Sequence, residues 1–227
     1  MNYKNDEFFD WFEQVIPKLG IRKHSFKKIF NYLDTLPDPI IIVETGCLRI
    51  KDNFGGDGQS TLLFDKYSQL RGKGSKVFTV DIDPKATKVC SEIVSENVSI
   101  ETCDSVKYLN DLSQKFYKDK TNVSLFYLDS FDVDWRFPSA SCEHHLKELT
   151  SIKKILSSDS LVVVDDSPLI GFMQQNPKEL SKFELIPTGP VPPVTISGKG
   201  SLINEYAIQT GAKLLFSHYQ TGWIGFN

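Results

Sequence analysis

The chain has 227 residues, 40% hydrophobic and 24% charged, with a formal net charge of −3 at pH 7. One domain of this length hides roughly 70% of the surface its unfolded chain exposes, so a full apolar core is available. The scattered, nearly balanced charge argues against a nucleic-acid or anionic-membrane partner.

The N-terminal stretch MNYKNDEFFDWFEQV lacks an unbroken apolar segment and does not read as a signal peptide. Apolar runs elsewhere are too short to span a bilayer. Cys47, Cys90, Cys103 and Cys142 form no C-x-x-C pair and suit neither a disulfide framework nor a zinc site. A cytoplasmic protein with free thiols is expected.

Phe8, Phe9, Trp11, Phe12, Val15 and Ile16 fall on one helical stripe, and Phe26, Ile29, Phe30 and Leu33 on a second, with Ser25 as N-cap. Residues 1–38 therefore read as a helical extension, placed either to cover an acceptor site or to form a dimer surface. Homo-oligomerisation stays open.

A regular alternation follows over residues 39–227. Continuous β-rich runs at 40–43, 76–80, 98–101, 123–128 and 160–164 are separated by helical patterns at 60–70, 84–94, 105–117 and 139–156. Unbroken apolar strands indicate burial on both faces, hence a doubly wound, mostly parallel α/β sheet. Residues 168–200, rich in Pro, Gly and polar side chains, read as a lid or acceptor-side insertion. A helix over 201–210 precedes KLLFSHYQ and WIGF, which flank Thr221-Gly222 as a two-residue connection in a C-terminal antiparallel hairpin.

Ligands of open α/β sheets bind beyond the carboxyl ends of the strands, near the switch point. Each predicted strand ends at or near an acid: Glu44 in ETG, Asp81 in TVDIDP, Asp104 in CDS, Asp129 in LDS, and Asp165 with Asp166 in VDD. No Walker lysine is present, and a carboxylate at Glu44 would repel a pyrophosphate. S-adenosylmethionine, with an ammonium, a sulfonium and no phosphate, suits such a row better. Asp81 is placed to take two ribose hydroxyls, as a Rossmann ribose acid does. Asp104 and Ser105 would lie near the adenine.

In their order, these motifs resemble those of class I S-adenosylmethionine-dependent methyltransferases, and are most similar to the metal-dependent catechol O-methyltransferase type. The resemblance covers residues 40–168. It implies a Rossmann-like methyltransferase sheet and a cofactor site in which Glu44, Gly46, Gly58 and Ser60 match the first motif, Asp81 the ribose acid, and Ser105 a serine near the adenine. It further implies that Asp129, Asp165 and Asp166 match the family's metal ligands. Three departures stand out. CLRIKDNFGGD separates Gly46 from Gly58, Asp166 replaces an asparagine, and Asp132 stands where the family has a basic lysine. The stretch GGDGQST is then the second half of a lengthened cofactor loop, with Asp57 or Gly58 near the next helix's N-cap.

Three carboxylates suit Mg²⁺, which would bind the acceptor hydroxyl, lower its pKa and aim it at the methyl group. Without a metal the three would repel, and one would hold a proton. For the catalytic base, Asp132, Asp134 and one of the histidines, His144 nearer the site than His145, compete, while Asp129 would be catalytic as a metal ligand. His144 and His145 point about 100° apart on a helix, so they do not both face one site. Trp135 and Phe137 either wall the acceptor pocket or pack on the sheet, and Lys199 and the Gln220–Trp223 stretch are candidates for its border. The expected activity is a Mg²⁺-assisted O-methyl transfer to a small hydroxylated molecule, a sugar or secondary metabolite. A metal-independent methyltransferase and an inactive binding module of the same fold are the alternatives.

Overall fold

A computed structural model describes residues 5–56, 59–168, 172–175, 183–186 and 196–227. Helices α1 (Asp6–Val15) and α2 (Lys23–Thr35) flank a 3₁₀ segment, Ile16–Arg22. Then come β1 (Ile41–Thr45), α3 (Ser60–Arg71), β2 (Lys76–Asp81), α4 (Pro84–Ser91), β3 (Val98–Thr102), α5 (Ser105–Asp119), β4 (Leu125–Leu128), α6 (Ser139–Ile152) and β5 (Leu161–Val164). A separate antiparallel pair, β6 (Phe172–Gln175) and β7 (Phe183–Ile186), precedes α7 (Ser201–Thr210), β8 (Lys213–Ser217) and β9 (Thr221–Ile224).

The main sheet runs β3-β2-β1-β4-β5-β9-β8. Strands β1 to β5 are parallel, and β9 is antiparallel to both β5 and β8. This is the Rossmann-like methyltransferase sheet that the sequence implies, with its switch point between β1 and β4.

Both faces of the central strands are dry, and alternate residues serve different layers. Ile42, Leu125, Tyr127, Leu161 and Val163 join the N-terminal helices and α3 in one core. Ile41, Val43, Phe126, Leu128, Val162 and Val164 join α5, α6 and α7 in the other. Parallel strands buried on both faces lose the polar alternation of a one-sided sheet, which is why they read as continuous apolar runs. The aromatic stripe of α1 and α2 is spent in the first core. Phe8 packs on Phe30 at 4.6 Å and on Tyr67 at 5.0 Å, all three fully buried.

Two local expectations are corrected. Ser25 does not cap α2. The helix begins at Lys23, and the Ser25 hydroxyl instead donates to the Arg22 carbonyl at 3.2 Å. Thr221 and Gly222 are not the hairpin turn but part of β9, because they pair with Val164 and Val163 of β5. The reversal falls at 218–220, where the His218 N–H donates to the Gln220 carbonyl.

Candidate functional site

Parallel registration brings the strand-end acids to one edge. Thr45 pairs with Val80 and Leu128, Asp81 with Thr102, and Leu128 with Val164. The ladder continues one step past the strands, with Asp129 N–H donating to Thr45 O at 3.0 Å and Asp165 N–H to Leu128 O at 3.1 Å.

At the switch point Gly46 has φ +79, and a Cβ there would lie 2.4 Å from the Asp129 carbonyl oxygen. Only glycine lets the chain leaving β1 press so closely on the end of β4. The next residue ties the turn to the second strand, because Cys47 N–H donates to Asp81 at 3.2 Å. The other Asp81 oxygen accepts from Asp83 N–H at 2.9 Å. The Asp81 carboxylate is half-buried.

Glu44 is fully buried beneath this turn. Thr61 of α3 and Thr79 of β2 each donate to its Oε2 at 2.7 Å, while Oε1 has no hydrogen-bond partner. Burial pushes its carboxyl up to about 7. Ser60 is buried at the first turn of α3, and Gln59, in a left-handed conformation, stands at its N-cap. Gly58 and Asp57 lie outside the described residues, as does most of the expected lid at 168–200.

At the ends of β4 and β5, one oxygen each of Asp129, Asp165 and Asp166 lies within 4.8 Å of the others. The acids converge as the sequence suggests, but two cations have joined them. Lys199, 0% exposed, pairs with Asp129 in a very close contact and with Asp166 at 3.0 Å. Arg22 reaches in from the 3₁₀ segment, its Nε 3.0 Å from Asp165 and an Nη 3.5 Å from Asp166. Its guanidinium lies over the Tyr219 ring at 4.8 Å, and the Tyr219 hydroxyl donates to Asp166.

The three acids therefore form an ion-pair network with cations of the chain's own. The donor set suits a hard cation, but the place among the carboxylates is held by Lys199, so the residues as arranged do not fit a metal. Burial, with Asp165 and Asp166 nearby, holds the Asp129 carboxyl well above the usual carboxylate range despite Lys199. Against the same burial, Lys199 and Arg22 hold Asp166 below that range. Asp129 and Asp166 keep 22% and 15% of their side chains exposed, so the cluster is reachable from solvent at its edge.

The remaining candidates are dispersed. Asp132 is 76% exposed and pairs with Arg49 at 3.3 Å. Asp134 closes its own turn, accepting from Arg136 N–H at 2.9 Å. Asp104 is the exposed N-cap of α5, accepting from Lys107 N–H at 2.8 Å. Phe137 is exposed, whereas Trp135 packs against Gly198.

Ser105 and His144 belong to a second polar cluster, which the sequence reading did not foresee. His144 Nε2 lies 2.9 Å from Ser105 Oγ and 3.5 Å from Glu148. His145 Nε2 is 3.9 Å from the same buried carboxylate, which also accepts from Ser130 at 2.6 Å and Thr45 at 3.3 Å. Both histidines thus address one group, contrary to the helical-wheel expectation, because Glu148 sits one turn on, at i+4 and i+3 from them. Burial lowers His145 to about 4, leaving it neutral. Against its own burial, Glu148 is held below the usual range by His144, His145 and the hydroxyls of Ser105 and Ser130.

A cavity of about 420 Å³ opens at the opposite, amino-terminal edge of the sheet, lined by residues including Pro39, Ile41, Lys120, Asn122 and Asp159. None of the strand-end acids borders it, so it lies apart from the switch-point edge. Among the described residues no helix is long and apolar enough to cross a membrane.

No protein-family model matches the sequence, and no curated protein matches it either. Among solved structures, the chain is similar in fold to a DUF574 family protein from Streptomyces avermitilis, with a TM-score of 0.50 and 11% sequence identity over 96% of this chain and 89% of that one. At that identity the likeness speaks for the fold alone.

Proposed function

We propose that the chain is an S-adenosylmethionine-dependent methyltransferase acting on a hydroxyl of a small polar acceptor. The observation that carries this reading is the joined turn at the switch point. Gly46 is pressed onto the end of β4, and its neighbour Cys47 is bonded to the half-buried Asp81 at the end of β2. Asp81 would take the ribose hydroxyls, Ser105 would border the adenine, and the unpartnered Glu44 oxygen would favour an ammonium nearby. Bound there, S-adenosylmethionine supplies an electrophilic methyl carbon.

The chain's own contribution falls to the cluster. Asp129 is the most exposed of the three acids, and its carboxyl pKa is raised. A carboxylate whose pKa is raised is a stronger base than a free one, and a reachable one can accept a proton from an acceptor hydroxyl. Lys199 fixes where that carboxylate points, and in-line alignment of the two reactants accounts for much of the rate of a displacement.

The test is calorimetric titration of S-adenosylmethionine into the purified protein, followed by acceptor screening. Binding near one equivalent, with Asp129→Asn keeping the affinity but losing turnover by at least about 100-fold, is the expected result. Absence of binding at millimolar cofactor would leave the inactive binding module as the better description.

A further inference from the structure

We propose that Lys199 is the resident cation of the Asp129–Asp165–Asp166 cluster, holding among the three carboxylates the place of a divalent ion, so that the protein keeps this acidic site in order without bound metal. A lysine ammonium is a compact point charge with three donors, the side chain best able to stand in for a small cation. It reaches Asp129 and Asp166, the acids at the ends of two neighbouring strands.

The backbone fixes it there. Lys199 N–H donates to the Asp166 carbonyl at 3.1 Å, and Ser197 N–H to the Pro168 carbonyl at 3.0 Å. Gly198 has φ +62, and a Cβ on it would lie 1.9 Å from the Asp166 carbonyl oxygen. The Cys142 thiol donates to the Gly198 carbonyl at 3.0 Å. The lysine is thus delivered on a segment laid directly on the backbone of Asp166, one of the two acids it pairs with, and it has no exposed surface through which to leave.

Charge and coordination reach the same result. Lys199 and Arg22 balance two of the three carboxylates. A divalent ion added beside them would make a buried site cationic, and Mg²⁺ needs oxygens at about 2.0–2.1 Å in an octahedron. Arg22 Nε already lies 3.0 and 3.3 Å from the two oxygens of Asp165, and Tyr219 and Lys199 engage the two of Asp166.

The experiment titrates Mn²⁺, as a spectroscopic stand-in for Mg²⁺, into the full chain and counts free ion by electron paramagnetic resonance. Neither cofactor nor acceptor is present, so its outcome is separate from that of the methyltransferase reading. Wild type is expected to bind no stoichiometric Mn²⁺ below about 1 mM, and Lys199→Met to gain one site at least about tenfold tighter. One equivalent bound by wild type below about 100 µM and lost in Asp129→Asn would overturn the proposal. Failure of a folded Lys199→Met chain to gain a site would overturn it as well. Wild-type binding that survives Asp129→Asn lies elsewhere and leaves this cluster metal-free, as expected. Should Lys199→Met not fold, the wild-type titration decides alone.

Discussion

Arg22 and Asp165, 143 residues apart in the chain, meet with the arginine Nε at 3.0 and 3.3 Å from the two carboxylate oxygens, and the acid is 1% exposed. Removing one partner of a buried pair strands the other charge, at about 3–5 kcal/mol. Arg22→Met should lower unfolding free energy by that amount in urea at neutral pH, and Asp165→Leu added to it should recover at least about half. A single-mutant loss under about 1 kcal/mol would mean that water reaches the pair.

Glu44 predicts a pH dependence. Its carboxyl is raised from an ordinary 4.5 to about 7 in the folded chain. Between those values the native state holds a proton that the unfolded state has released. The Glu44 contribution is therefore complete below pH 4.5 and is lost as pH rises through 7, by about 3 kcal/mol. Urea midpoints at pH 5 and pH 8 should differ less in Glu44→Gln than in wild type. Equal slopes in the two proteins would remove Glu44 as the source.

Gly46→Ala would place a methyl 2.4 Å from the Asp129 carbonyl oxygen at φ +79. Strain and overlap together should cost at least about 2 kcal/mol. Thermal unfolding measures it, and a shift within error would show that β1 and β4 separate easily at their ends.

Asp81→Asn keeps the shape of the side chain and removes its charge. It should weaken S-adenosylmethionine about 10- to 100-fold, or about 1.4–2.8 kcal/mol, and, because an amide has one acceptor where the carboxylate takes N–H groups from both Cys47 and Asp83, it should also cost about 1–2 kcal/mol of stability. Calorimetry on the variant gives the ratio directly. An unchanged affinity would take the ribose role from Asp81.

The central strands and the row of acids were legible because both are local. Parallel strands announce themselves by unbroken apolar runs, and each acid follows its run directly. The cations were not legible. Arg22 sits in a short N-terminal turn with no motif around it, and its partners come from the far end of β5. Lys199 was visible as a border residue in a Gly-Lys-Gly triplet, but nothing in the triplet says that the chain returns to lie on Asp166. Glu148 was hidden inside a helix whose apolar stripe drew the eye, although its i+4 spacing from His144 was a usable signal. The turn after β8 was misplaced because Thr-Gly is common in hairpins, and only the pairing of β9 with β5 claims those residues for a strand.

The two cations reach the acids from opposite sides of the sequence, Arg22 from before the first strand and Lys199 from after the fifth. A growing chain that has just made the fifth strand already carries Arg22 but not Lys199, and so holds three crowded carboxylates with only one of their two counter-charges. Contacts of such long sequence separation form late, because the loops that close them are long. The acidic edge then serves as a record of completed folding: its acids become compatible with burial only after the segment carrying Lys199 has been made and docked, so a truncated chain lacks an ordered cluster even where its central strands have formed.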